Sequence, residues 1–169
     1  PAGNLRPQGF MIAIIGGSGL YQLDNLAVTT RRIVRTPYGE PAGPLTFGRI
    51  DGHEAVFLAR HGYGHTLAPH EVNYRANLWA LQAQGVTRVI GVATVGGIAK
   101  ELGAGAIALP DQIIDYTWGR PSTYFEGSEQ PVTHIDFTYP YDEDTRQLLA
   151  RSARAAGIAL HVGGTYAAV

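Results

Sequence analysis

The residues best suited to chemistry are an arginine and three histidines in one short stretch, Arg60, His61, His65 and His70. They follow an apolar run at 55–58 and lead into a predicted helix. Arginine presents a planar fork of donors that matches a phosphate group, and histidine can add a hydrogen bond to the same oxygens. The stretch therefore predicts an anion site. The alternative is that the histidines bond loop carbonyls only.

A metal site is a second alternative, because His61 and His65 are four residues apart. On a helix this spacing would place both imidazoles on one face. Gly62 and Gly64 disfavour a helix, and the stretch contains no carboxylate or cysteine before Glu71. We therefore expect no metal.

Two predicted strands end in glycine pairs, which lie at 16–19 with Ser18 and at 96–97. Consecutive N–H groups of such turns can cradle a phosphate, to which the Ser18 hydroxyl would add a donor. The alternative is that glycine only permits a tight turn between strand and helix. The first turn lacks the lysine of a P-loop and the third glycine of a dinucleotide fingerprint. This disfavours an ATPase or a dehydrogenase and leaves a bare phosphate or a phosphorylated sugar as the ligand.

Composition narrows the class of protein. The chain has 169 residues, 45% of them hydrophobic and 16% charged, with a net charge of −1 and no cysteine. The charge balance disfavours nucleic acid or an anionic membrane as partner. The lack of cysteine excludes disulfides and thiolate sites. We expect a cytoplasmic protein. Residues 1–10 lack apolar periodicity and precede Met11, so we expect a vector remnant or a loose extension there.

Apolar patterning predicts strands that alternate with helices, which is typical of an α/β fold. The predicted strands cover 11–15, 45–50, 55–58, 86–95, 106–114 and the residues from 160 onward, and the predicted helices cover 69–84 and 143–156. Asp51-Gly52 predicts a hairpin turn, and Gly85 and Gly157 predict the two helix ends. We find no linker and expect a single domain over 11–169.

The segment 121–141 is rich in aromatic residues and punctuated by glycine and proline. Its ring-bearing residues are Tyr124, Phe125, His134, Phe137, Tyr139 and Tyr141. Such a segment can line a small-molecule pocket, pack in a subunit interface or fill a core.

Together these segments resemble the type-one nucleoside phosphorylase family, and within it the methylthio-nucleoside branch. The resemblance is carried, in chain order, by IGGSGL at 15–20, TPYG at 36–39, ARHG at 59–62 with His65, VNYRANLWAL at 72–81, VGGI at 95–98 and THIDF at 133–137. It implies a central mixed β-sheet flanked by helices.

The resemblance also implies roles for individual residues. Phosphate would be bound by the five residues Ser18, Arg60, His61, Ala93 and Thr94. The nucleoside would be bound by Val95, Gly96, His65 and His134, with His134 facing the site of a neighbouring subunit. Family members often have a hydrogen-bonding side chain where Ala93 stands, so Ala93 would act through its backbone and the Thr94 hydroxyl would compensate.

The implied activity is phosphorolysis of S-methyl-5'-thioinosine to hypoxanthine and S-methyl-5-thioribose 1-phosphate, in purine salvage. Methylthioadenosine or a general 6-oxopurine nucleoside is the alternative substrate, and an inactive anion-binding fragment is the alternative without catalysis. Phosphate is a co-substrate and no cofactor is implied. A homotrimer or a dimer of trimers is implied as the assembly. By this resemblance the C-terminal part is missing, and the catalytic residue that protonates the purine lies beyond Val169.

Overall fold

The computed structural model describes residues 11–128 and 131–169. Residues 1–10, where we predict an extension, lie outside the described residues. The chain divides into two compact units, the first ending at Thr94 with Pro121–Tyr124 added, and the second formed by Val95–Arg120 and Phe125–Val169. The single domain over 11–169 stays a prediction. Within the described ranges, no helix is long and apolar enough to cross a membrane.

A five-stranded mixed sheet forms the centre of the first unit. Its strands are β1 (Ile12–Gly16), β2 (Ala27–Arg32), β3 (Leu45–Ile50), β4 (His53–Ala59) and β5 (Arg88–Gly91), in the order β2-β3-β4-β1-β5. Strand β1 is parallel to β4 and β5, whereas β3 is antiparallel to β2 and β4. The predicted α/β fold with a central mixed sheet is confirmed.

The hairpin between β3 and β4 forms where it was predicted. Asp51 and Gly52 have φ angles of 48° and 81°, the left-handed pair that a tight two-residue turn requires. Strand β2 was not predicted. It lies at the sheet edge, is mostly exposed and contains an irregularity between Val28 and Thr30, so it lacks the apolar alternation that would reveal it.

Helix α1 (Tyr74–Ala83) covers one face of this sheet with the buried side chains of Ala80 and Leu81. The prediction of a helix from residue 69 is wrong, because Pro69–Glu71 form a separate 3-10 turn and Asn73 starts α1 by accepting a hydrogen bond from the Ala76 N–H. The C-terminal end is as predicted, at Gly85.

In the second unit, the described residues form two pairs of parallel strands and one helix. Strand β6 (Ala108–Leu109) pairs with β8 (His161–Val162), β7 (Gln112–Asp115) pairs with β9 (Thr165–Ala168), and α2 spans Glu143–Ala155. The predicted helix at 143–156 is confirmed. The predicted continuous strands at 106–114 and from 160 are wrong, since Pro110 interrupts the first and Gly163-Gly164, with φ angles of 107° and 99°, interrupt the second.

Candidate functional site

Three segments of the first unit meet at one edge of its sheet. They follow β1, β4 and β5, whose parallel pairing aligns Gly16 with Ala59 and Ile15 with Gly91. The carboxyl ends of parallel strands therefore lie together, which is the usual place of a ligand in an open α/β sheet. This arrangement brings together the five predicted phosphate residues, which are linked by contacts to Gly17 and by hydrogen bonds between them, namely Ser18, Arg60, His61, Ala93 and Thr94.

Gly17 packs closely against the segments that follow β4 and β5. The Arg60 N–H donates to the Gly16 carbonyl at 3.0 Å. This bond holds the residue that follows β4 against the end of β1. A β-carbon placed on Gly17 would lie 2.6 Å from Nη2 of Arg60 and 2.6 Å from the carbonyl oxygen of Val92. Only glycine fits these distances, so the guanidinium lies directly against the backbone of the first turn.

His61 is buried, with 6% of its surface exposed. Its Nδ1 lies 2.9 Å from the carbonyl oxygen of Leu67. Because a carbonyl can only accept, Nδ1 carries the proton, and in the neutral ring Nε2 is an acceptor. Nε2 receives a hydrogen bond of 3.4 Å from Nε of Arg60. The Nε2 atom of His61 is therefore an acceptor that faces Arg60, and the hydrogen bond to the Leu67 carbonyl holds the ring in place.

His65 lies beside His61 in the same loop. Its φ angle of 56° is in the left-handed region, which is uncommon for a residue with a side chain. Its ring is 4.7 Å from the His61 ring and makes an edge contact with Tyr21 at 5.7 Å. The two imidazoles thus meet in a loop and not on a helix. Among the described residues, no cluster of three or more histidine or acidic side chains could hold a metal.

The end of β5 is joined to the first turn by a side chain. The hydroxyl of Thr94 donates to the Ser18 carbonyl oxygen at 3.1 Å, and the Val92 N–H donates to the Ile15 carbonyl at 2.9 Å. Ser18 and Ala93 are both exposed. This region therefore offers to an anion the Ser18 hydroxyl, the backbone around Ala93 and the Arg60 guanidinium.

The remaining predicted nucleoside residues lie in the second unit. Val95 is 59% exposed, His134 is exposed, and a β-carbon on Gly96 would meet nothing within 4 Å. Gly97 has a structural reason to be glycine, because its β-carbon would lie 1.9 Å from the Leu102 carbonyl oxygen. The roles of Val95, Gly96 and His134 stay predictions.

The aromatic segment 121–141 contains both half-buried and exposed rings. Tyr124 packs edge-on against Tyr38, with ring centroids 5.0 Å apart, and donates to the Arg75 carbonyl at 2.7 Å. Burial raises the pKa of the Tyr124 hydroxyl. Tyr124 therefore packs within the first unit. In the second unit Phe137 and Tyr139 are exposed.

Two groups near the site were not predicted, the Leu67 carbonyl that orients His61 and the Tyr21 ring that contacts His65. Every residue has a carbonyl, so the sequence contains no signal for the first. Tyr21 directly follows the IGGSGL motif, and that adjacency is the one signal that could have identified it.

Residues 11–169 match the family model of the phosphorylase superfamily. The chain is 49% identical over 157 residues to a probable S-methyl-5'-thioinosine phosphorylase of Xanthomonas campestris pv. campestris, covering 93% of this chain and 63% of that protein. It is 45% identical over 162 residues to the 6-oxopurine nucleoside phosphorylase of Pyrococcus furiosus, covering 92% of this chain and 59% of that protein.

Among solved structures, the methylthioadenosine phosphorylase of Schistosoma mansoni in complex with adenine superposes with a TM-score of 0.87 at 32% identity. That match covers 94% of this chain and 64% of the other chain. The chain thus spans about three fifths of the length of these relatives.

Proposed function

Because the chain belongs to the phosphorylase superfamily, we propose that the intact protein cleaves S-methyl-5'-thioinosine with inorganic phosphate. The products are hypoxanthine and S-methyl-5-thioribose 1-phosphate, as in purine salvage. The observation that carries the proposal is the convergence of Arg60 and His61 with the Gly17-Ser18 turn at the ends of three neighbouring strands. Similarity to the Xanthomonas protein, a probable S-methyl-5'-thioinosine phosphorylase, and to the Pyrococcus 6-oxopurine nucleoside phosphorylase supports a 6-oxopurine substrate.

The chemistry requires a held anion and a departing base. A phosphate oxygen forms a bond to the anomeric carbon while the bond from that carbon to the purine nitrogen breaks, and the purine leaves with the electron pair and takes up a proton. Positive charge develops on the ribose in the transition state. A phosphate fixed by the Ser18 hydroxyl and by the Arg60 guanidinium, which Nε2 of His61 orients, is correctly positioned and stabilises that charge.

Two other enzymatic activities are alternatives. A methylthioadenosine phosphorylase is favoured by the structural similarity to the Schistosoma enzyme. A nucleosidase that uses water is disfavoured, since hydrolysis would leave the Arg60 guanidinium, which His61 orients, without an anion to bind. An inactive anion-binding fragment is the alternative for residues 11–169 by themselves.

The direct test is turnover by the full-length protein with and without phosphate, using methylthioinosine and methylthioadenosine in parallel. We expect purine release that requires phosphate and is faster with methylthioinosine. Release that is equally fast without phosphate would refute phosphorolysis, and a faster reaction with methylthioadenosine would select the alternative substrate.

His61→Asn tests the contribution of Nε2 separately from that of Nδ1. The asparagine amide can still donate to the Leu67 carbonyl but offers nothing in place of Nε2. We expect the KM for phosphate to rise about 10-fold, because the Arg60 guanidinium loses the hydrogen bond to Nε2 that orients it, with little change in thermal stability. His53→Asn, at the exposed start of β4, is the matched control and should leave the KM unchanged. An unaltered phosphate KM in His61→Asn would remove His61 from the site.

The proposal includes a homotrimer or a dimer of trimers, in which His134 reaches the site of a neighbouring subunit. It is supported by the family resemblance and by the exposed apolar side chains of Val132, Ile135 and Phe137 around His134. Sedimentation equilibrium of the full-length protein should give a mass of three or six chains, and a monomer would refute this part. A cytoplasmic location stays a prediction from composition.

A further inference from the structure

We infer that Thr94 is a positioning residue, whose hydroxyl fixes the Gly17–Gly19 turn and does not donate to phosphate. The kinetic consequence of this inference rests on the proposed function. It starts from the hydrogen bond of 3.1 Å between Oγ1 of Thr94 and the carbonyl oxygen of Ser18, residues 76 positions apart in the chain. That bond joins the end of β5 to the turn that follows β1.

The direction of this bond is fixed by the chemistry of the two groups. A carbonyl oxygen has no proton, so the single hydroxyl proton of Thr94 lies on the bond to Ser18. The hydroxyl then has only lone pairs left, which cannot donate to the unprotonated oxygens of a phosphate. Thr94 therefore does not supply the donor that the Ala93 side chain lacks, contrary to the expectation from the sequence.

The bond acts on the conformation of the turn. Ser18 and Gly19 are exposed, and Gly19 has a φ angle of 84°. Because a peptide group is planar, a fixed Ser18 carbonyl also fixes the N–H of Gly19 and the backbone that carries the Ser18 hydroxyl. Without the bond the turn is still closed by the Leu20 N–H, which donates to the Gly17 carbonyl at 3.1 Å, but the Ser18 carbonyl is no longer held to the end of β5, so phosphate binding must then order it. The cost falls on phosphate affinity and not on the chemical step.

The chain contains a matched control at the other end of β5. Oγ1 of Thr87 donates to the Met11 carbonyl oxygen at 3.4 Å, again across 76 positions and again from the β5 region to the β1 region. Thr94→Val and Thr87→Val thus remove the same type of bond from the same strand pair. Thr94→Ser keeps the hydroxyl and tests rescue.

The test is calorimetric titration of the full-length variants with inorganic phosphate, together with steady-state kinetics. For Thr94→Val we expect the Kd and KM for phosphate to rise about 3- to 10-fold, equivalent to one net hydrogen bond, and kcat to stay within about twofold. Thr94→Ser should restore both constants, and Thr87→Val should leave them unchanged.

Several results would overturn the inference. These are an unchanged phosphate Kd in Thr94→Val, a failure of Thr94→Ser to restore it, or an equal loss in Thr87→Val. A failure of the proposed function is distinguishable, because it would abolish phosphate-dependent turnover in the unmodified protein. Weaker phosphate binding by Thr94→Val would still support the positioning function in that case.

Discussion

Arg60→Ala is expected to lower kcat/KM for phosphate about 10²- to 10³-fold, the usual effect of removing a preorganised donor to an anion. The guanidinium lies against Gly17 and is hydrogen bonded to Nε2 of His61. Its loss removes both the charge and the planar fork. Initial rates at varied phosphate, with the nucleoside saturating, measure the effect.

Two further variants show whether geometry or charge is responsible. Arg60→Lys keeps the charge but not the fork, and should recover only part of the lost activity. Arg49→Ala is the matched control, since Arg49 lies on β3 in an exposed ion pair of 3.8 Å with Glu54. It should have the activity of the unmodified protein. A loss below about threefold in Arg60→Ala would contradict an anion-binding role, because a preorganised donor contributes far more.

Gly17→Ala is expected to combine loss of activity with loss of stability. Its β-carbon would lie 2.6 Å from both Arg60 Nη2 and the Val92 carbonyl oxygen. The guanidinium can move away but the backbone carbonyl cannot, so the ends of β1 and β5 must separate. We expect the free energy of unfolding to fall by about 1–3 kcal/mol, as in other overpacked sites. The KM for phosphate should rise at least 10-fold, since Arg60 is displaced.

Gly91→Ala makes the same substitution on the neighbouring strand. A β-carbon there would meet nothing within 4 Å, so we expect stability within about 1 kcal/mol of the unmodified protein and unchanged kinetics. Urea denaturation and phosphate kinetics on both variants measure the difference. If Gly17→Ala behaved like Gly91→Ala, the close approach of Arg60 to the first turn would be wrong.

Elements with a strong local signal were predicted from the sequence. Asp51-Gly52 defines its hairpin because few other residue pairs adopt two left-handed conformations in succession. An apolar run that ends in glycine likewise predicted β1, and an amphipathic pattern predicted α2. The proximity of Arg60, His61 and the glycine turn follows for a related reason, since each of them ends or follows such an element, and anion binding by them stays a prediction.

The start of α1 had a local signal that was missed, since Asn73 caps the helix, although Val72 continues the apolar spacing upstream. Features that depend on backbone partners elsewhere in the chain could not be predicted. The protonated nitrogen of His61 is set by the Leu67 carbonyl, and the Thr94 hydroxyl is engaged by the Ser18 carbonyl. Such partners are backbone atoms, which residue type does not identify.

The central claim is that phosphate, and not water, accepts the sugar. Phosphorus NMR of the full-length protein with methylthioinosine and inorganic phosphate tests it most directly. We predict a sugar 1-phosphate signal that grows in proportion to the hypoxanthine released, with an equal loss of inorganic phosphate. Hypoxanthine released with free methylthioribose and an unchanged inorganic phosphate signal would contradict the account.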